Sequence, residues 1–382
     1  KRKMQNGVVS SIYSVLYVFI NSHYYREQAL KFTKIEVKFK GMDAWIRRYG
    51  FEVNNNFESN EVQINYKRPS DILTKIDDKV AANICFSHSF PLNGYINEAN
   101  VSQEAYLQFK FSENVSFDFM MNYVALFQNL LTLGTFEPAY PLAVNVYSNN
   151  SEDDEDEICS VLEFKPDFNY APNNERGVNL FYFDDMEPNF PEILRKWFSL
   201  GHTIEPVLDL LLNSFYNRNL GLDVRFLQIA QALETFHRRL LDKKPFDEKE
   251  FKKWAKGVVE NVDQKYKEML RGKLNFSNEQ PLHARLEECI DKLEIDTIKQ
   301  IVGDKTKFIR DVKNSRNYLT HYSVELANKA LRGNELYQLT DRLRIVLLAN
   351  ILLQSGFELK QINEVIKNNG IYLFNHIYKP IS

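Results

Sequence analysis

The stretch "NSRNYLTHYS", Asn314 to Ser323, sets an arginine, two asparagines and a histidine in what otherwise reads as an amphipathic helix. An imidazole, with an ordinary pKa of ~6.5, can give or take a proton at neutral pH. The planar fork of an arginine matches the oxygens of a phosphate. Asn317 and His321 are four residues apart, so on a helix their side chains are neighbours. The amide can then fix the ring tautomer or donate to phosphate. The lead-in "KTKFIRDVKNSR" sets Lys305, Lys307, Arg310, Lys313 and Arg316 against one acid, Asp311. Arg316, Asn317 and His321 are the candidate catalytic residues, with Arg310 and Lys313 as cations for a phosphate backbone. The same residue types also make an ordinary wet helix face with a surface histidine, and spacing alone leaves both readings open.

A helix must position this set. Asp304 is a fair N-cap, and helical spacing runs on to about Leu331. At ~100° per residue, Phe308, Val312, Leu319 and Leu326 form a core stripe, while Arg310, Asn314, Asn317, His321 and Asn328 share the opposite arc. Arg316 is out of place, near the edge of the apolar stripe beside Ile309 and Val312. A guanidinium there either snorkels or is held by an acid on another helix. Glu234, in "QALETFHRR", is one candidate partner. It also lies four residues before Arg238, the spacing of an intrahelical ion pair. His237 and His283 read as packing or surface histidines.

The flanking chain falls into two parts. Up to about residue 190 it is β-rich, with short runs such as "IEVKFKGMDAWI", "EVQINYKRP", "ANICFSHSF", "AYLQFKFSE" and "LAVNVYS" bounded by turn residues. One helix, "VSFDFMMNYVALFQNLLTLGT", starts after "SENVS", ends at Gly134 and interrupts them, and "VNLFYF" reads as a last strand. The acidic run "SEDDEDE" reads as a solvated loop. From Pro191 the period becomes helical. Phe226, Ile229, Leu233, Phe236 and Leu240 make one continuous core face. The reading is an α+β chain: a β-rich domain over 1–190 and an all-helical domain over 191–382, joined near "DDMEPNFP".

Composition narrows the function classes. The net charge is −3 overall. Residues 200–382, however, hold 29 Lys and Arg against 24 Asp and Glu, and residues 1–199 hold 19 against 27. The second part is basic enough to hold a phosphate-bearing ligand. Three widely spaced cysteines without a CxxC pair argue against a disulfide framework or thiolate metal site and suit a reducing cytoplasm. No metal or cofactor is expected. The longest apolar run, "SSIYSVLYVFINSHYY", is too broken to cross a ~30 Å hydrocarbon layer. Its near-alternation suits a strand, and no signal peptide is expected. Walker A, GxGxxG, HExxH and GxSxG motifs are absent.

"SRNYLTHY" resembles the R-N-x-x-x-H signature of the HEPN superfamily, helical domains of which many are metal-independent RNases. "FLQIAQALETFHRR" resembles the matching segment of ApeA-type HEPN proteins, and "LKFTKIEVKFKGMDAWI" with "FQNLLTLGT" is similar to the N-terminal domain that accompanies it. The resemblance implies an endoribonuclease effector of bacterial anti-phage abortive infection, acting on RNA, with tRNA the family-level expectation. It implies a sensing or regulatory first domain that takes a phage-derived trigger. It also implies a homodimer through the helical domain. The chemistry agrees. Metal-free RNA cleavage uses the 2′-OH as nucleophile and needs a base, an acid and positive charge on the phosphorane. One chain offers one such histidine, and a two-fold partner would supply the second. The alternatives are a module that grips RNA or a nucleotide through the same residues without cutting, and a β-rich carbohydrate- or protein-binding domain on a helical dimerisation stalk.

Overall fold

The computed structural model describes residues 2–5, 8–11, 15–21, 30–90, 100–148, 157–163, 179–217 and 219–370. Close packing divides the chain into two units, Lys1–Phe198 and Ser199–Ser382.

The first unit is built on a seven-stranded antiparallel sheet. Its strands in chain order are β3 (Tyr17–Ile20), β4 (Lys31–Phe39), β7 (Ile72–Lys75), β8 (Val80–Ser89), β9 (Ser102–Ser116), β10 (Pro141–Ser148) and β11 (Glu157–Glu163). They lie side by side as β3-β11-β10-β4-β9-β8-β7. Two separate hairpins, β1 (Arg2–Gln5) with β2 (Val8–Ser11) and β5 (Phe51–Asn56) with β6 (Glu61–Tyr66), stand outside it. Alternation decides the buried face. Ile35, Val37 and Phe39 of β4 and Ala105, Leu107, Phe109 and Phe111 of β9 are buried. Helix α2 (Phe117–Thr135) packs on this sheet, with the Phe127 ring 5.9 Å from that of Phe39. Ser116 caps it, its hydroxyl accepting from the Phe119 amide.

Three sequence expectations change here. "MDAWI" is a short helix, α1 (Met42–Ile46), following strand β4. "VNLFYF" is not a strand among its described residues. The Leu180 and Phe181 amides donate to the Gly134 carbonyl, at 2.7 and 3.2 Å, and Phe183 opens the helix α3 (Phe183–Met186). Six residues, five of them apolar, are too few to separate a strand from a loop that enters a helix. Gly134 is not the end of α2. It lies inside the last turn, where a Cβ would stand 2.4 Å from the Trp45 indole nitrogen, and Phe136 ends the helix in the left-handed region at φ 55°. The acidic run lies outside the described residues apart from Glu157, as do 12–14 and 22–25 of the apolar N-terminal run, in which Ser10 and Ser11 end the strand β2 and Tyr17–Ile20 is β3.

Helix α4 (Phe190–Tyr216) carries the division between the units at 198/199. The sequence pattern sets the join near 184–191. The first turns of α4 pack into the first unit: Ile193, Leu194 and Trp197 are buried, and the Trp197 indole donates to the Leu126 carbonyl at 2.8 Å.

Helices are the only regular elements among the described residues of the second unit. After α4 come α5 (Leu222–Leu240), α6 (Glu248–Glu260), α7 (Gln264–Leu274), α8 (Leu282–Asp291), α9 (Asp296–Val302), α10 (Lys305–His321), α11 (Gly333–Gln354) and α12 (Leu359–Val365). Helix α11 is the axis. It is apolar nearly all round, with a continuous buried run from Ile345 to Leu352, which is the mark of a helix surrounded by others. Asn350 on it donates to the Cys289 carbonyl of α8 at 2.9 Å. Phe226, Ile229, Leu233 and Phe236 of α5 are buried as their spacing predicts, and Leu240 is half-buried. Helix α10 packs against α5, α8 and α11.

Candidate active site

Helix α10 begins where its sequence says. The Asp304 carboxylate accepts from the Lys307 amide at 2.9 Å, one of the donors that a helix start leaves unpaired. Its end differs from expectation. The helix stops at His321, with Tyr322 in the left-handed region at φ 51° and its amide bonded to the Tyr318 carbonyl. A short 3-10 turn, Val324–Leu326, follows, so Leu326 and Asn328 are not on the α10 stripes. The chain then doubles back. The Leu331 amide donates to the hydroxyl of Ser315, which is fully buried, and Arg332 donates to the Tyr318 hydroxyl at 2.9 Å. A buried serine on the inner face thus receives a returning backbone that a longer helix would have carried away.

Arg316 is the centre of the site. Its Nε lies 3.1 Å from Glu234 Oε1 on α5, its Nη2 donates to Glu234 Oε2 at 3.4 Å, and its Nη1 donates to Asn317 Oδ1 at 3.3 Å. The expected partner is therefore in place. The arginine side chain keeps 33% of its exposure and the glutamate 18%. Beside them a cleft of about 620 Å³ runs between α5 and α10, lined by Gln231, Glu234, Thr235, Arg238, Arg316 and Thr320 among others. An arginine has five N–H donors, so the contacts to Glu234 and Asn317 leave further donors for a ligand in the cleft.

The remaining predicted residues fall at different distances from that centre. Asn317 is half-buried and touches Arg316 directly. His321 is exposed, one turn beyond Asn317 at the end of the helix, and is not among the residues lining the cleft. Arg310 is exposed and lies 3.5 Å from Asp311. Lys313 is exposed, with no carboxylate within ion-pair distance among the described residues. Lys305 is committed elsewhere, to Asp291 and Glu287 of α8 at 2.9 and 3.2 Å, and those two hydrogen bonds hold its ammonium above the usual lysine range.

Glu234 and Arg238 do not pair with each other. Glu234 turns to Arg316, and Arg238 reaches Glu279 at 3.1 Å. Arg238, Gln231 and Thr235 are cleft residues that the sequence reading missed. Their signal was present, since 231, 234, 235 and 238 make a polar stripe at three- and four-residue spacing on α5. His237 is a packing histidine, wholly buried with Nε2 2.9 Å from Glu288 Oε2, and His283 is exposed. All three cysteines are buried and unbridged. Burial pushes the Cys85 thiol up to about 11 and the Cys289 thiol up to about 12, which makes both poor nucleophiles. No three His, Cys, Asp or Glu side chains are grouped to hold a metal ion among the described residues, and none of the described helices is long and apolar enough to cross a membrane.

Two family models match the chain. ApeA N-terminal domain 1 matches residues 1–197, and Apea-like HEPN matches residues 227–361, a span holding α10, its motif and most of α5. No curated protein and no solved structure matches.

Proposed function

The chain belongs to the ApeA-type HEPN family, and from that premise we propose that it is a metal-independent endoribonuclease effector of anti-phage defence. The observation that carries the reading is the string Glu234–Arg316–Asn317, with His321 one turn further on. Glu234 fixes the guanidinium in one orientation, and the donors left over meet the phosphate whose charge grows in the transition state. Asn317 adjoins both the guanidinium and the turn that carries His321. The histidine removes the 2′-OH proton or protonates the leaving 5′-oxygen. The substrate is structured cellular RNA such as tRNA, and the first unit senses or restrains, with a phage-derived trigger as its ligand.

One chain supplies one exposed imidazole at the end of α10, while the reaction needs a base and an acid. The working unit is therefore a homodimer through the helical domain. Mixing wild-type and His321→Ala chains should lower activity faster than the mutant fraction rises. Activity strictly proportional to the wild-type fraction would count against a composite site.

The direct test is to incubate the purified protein and its His321→Ala form with total RNA. We expect the variant to lose about 10²–10⁴-fold in cleavage rate, the wild type to keep cutting in EDTA, and the products to end in a 2′,3′-cyclic phosphate or 3′-phosphate. Full EDTA inhibition reversed by Mg²⁺ would refute the mechanism. The second reading, a module that binds RNA without cutting it, draws on one feature: Arg316 is already paired and His321 stands outside its cleft. RNA retained but uncut by the wild type would select it.

A further inference from the structure

The positive excess of the second unit is not spread over it. Residues 243–278 hold ten Lys and Arg against six Asp and Glu, nearly the whole surplus of residues 200–382. This segment is the helical hairpin α6–α7, inserted between α5 and α8. A tight neck closes it. The buried Asn278 copies a backbone pair, accepting from the Phe246 amide and donating to the Phe246 carbonyl, each at 3.0 Å. Buried Arg285 donates to the Gln280 carbonyl at 2.7 Å just outside the neck.

Beyond the neck the hairpin buries little. Val259 is the one buried residue of α6, and α7 has none. The acids are largely occupied. Asp247 and Asp263 cap the two helices, and Glu248 and Glu260 lie 2.7 and 3.9 Å from Lys252 and Lys256. Lys243, Lys244, Lys253, Lys267, Arg271 and Lys273 have no carboxylate within ion-pair distance among the described residues. Rings stand among these cations. Phe246 and Phe251 are stacked, with centroids 6.3 Å apart and planes 13° apart, and Trp254 follows at 5.4 Å. Phe246 is 63% exposed and Trp254 55%.

We propose that the α6–α7 hairpin is an arm that binds single-stranded RNA and holds it beside the Arg316 cleft. The proposal rests on the reading of the helical unit as acting on RNA. Free cations track a phosphate backbone, and exposed ring faces stack on bases that are not paired, a combination that favours single strands over duplexes. The arm is rooted at the cleft, since Arg238 lines the cleft and pairs with Glu279, the residue after Asn278. A helix lying on a membrane would turn its whole apolar face outward. Here Val259 is buried and Phe251 half-buried, so α6 turns only part of its apolar face to solvent, with the exposed Lys252 and Lys253 next to Trp254 in the chain.

The test uses the full chain carrying His321→Ala, so that binding is read without cleavage. The probe is a labelled, unstructured single-stranded RNA of about 20 nucleotides, followed by fluorescence anisotropy. Reversing Lys244, Lys253 and Arg271 to Glu should weaken binding at least tenfold. It should also flatten the salt dependence, by about 0.7 in log–log slope for each phosphate that is no longer neutralised. Trp254→Ala should weaken it by about tenfold, and Trp254→Phe should restore it. All four side chains are exposed, Lys244 on the loop before α6 and the others on the two helices, so the thermal melts should match the parent. Unchanged affinity on charge reversal, equal affinity for a duplex of the same length, or binding to anionic vesicles with none to RNA would each overturn the arm. Wild-type cleavage is scored separately. A chain that binds through the arm yet never cuts refutes the nuclease and leaves the arm standing. A chain that cuts while the reversed arm binds as before refutes the arm alone.

Discussion

Two arginines of the helical unit are each held by acids from another segment, and they end in opposite situations. Arg285, at the root of the α6–α7 hairpin, keeps 3% of its side-chain exposure and is surrounded by the Gln280 carbonyl, Glu279 at 3.3 Å and Asp242 at 4.0 Å. Arg316 has one acid, Glu234, and keeps 33%. A buried guanidinium with two carboxylates and a carbonyl around it is a fastening, because any further ligand would have to displace protein. A guanidinium pinned on one edge and open on the other is oriented and still has donors to give. Burial, more than the presence of an ion pair, separates the two roles.

The largest expected effect falls on the open arginine and appears in activity. Arg316→Ala should reduce RNA cleavage by about 10²–10³-fold, the usual cost of removing one group that stabilises transition-state charge. Its effect on stability should be about 0–1 kcal/mol, as for a partly exposed pair. Arg285→Ala should reverse that pattern. Removing the buried guanidinium leaves Asp242 without its cation and Glu279 with Arg238 alone, and costs about 3–5 kcal/mol. Urea melts of the two variants beside an RNA cleavage assay would decide it. If Arg316→Ala unfolds the chain as Arg285→Ala does, Arg316 is a fastening too.

The contrast also marks what can be read without coordinates. Arg316 was legible because a helix wheel sets it beside Ile309 and Val312, and a cation there needs an acid. Glu234 was one acid on another helix that could be named, though nothing local singled it out from its own i+4 neighbour Arg238. The other two ends of the network were hidden. Arg238 sits at ion-pair spacing from Glu234, and nothing local reveals that Glu279, 41 residues on, takes it instead. The end of α10 was hidden because Tyr322 holds a left-handed conformation usually given to glycine. The stop comes from the return of the chain onto Ser315, a contact 16 residues long in sequence. Leu326 continued the stripe by coincidence of spacing. In the first unit, the helix α2 was legible from its apolar face, whereas the role of Gly134 was not. Its Cβ space is taken by Trp45, which is 89 positions earlier in the chain.

The smallest effect is expected at a third buried contact, between His237 of α5 and Glu288 of α8. It lies one turn along α5 from Glu234, and one turn along α8 from Arg285. Burial pushes the Glu288 carboxyl up, but the hydrogen bond and charge of His237, with Lys292 at 3.7 Å, more than reverse this and hold it below its usual 4.5. The sign follows from that depression. A carboxylate that is more acidic in the folded chain adds stability that is fully present above its unfolded pKa and is lost as the pH falls through the folded one. The stability difference between wild type and Glu288→Gln should therefore shrink as the pH falls below about 4.5. Glu288 is partly solvated, so the change should be modest beside that of Arg285→Ala. A difference that stays level down to about pH 3 would mean that the contact stabilises as a neutral hydrogen bond. The seam between α5 and α8 would then gain nothing from the charge of Glu288, and the distinction between fastening and open arginine would rest on the Arg285 cluster.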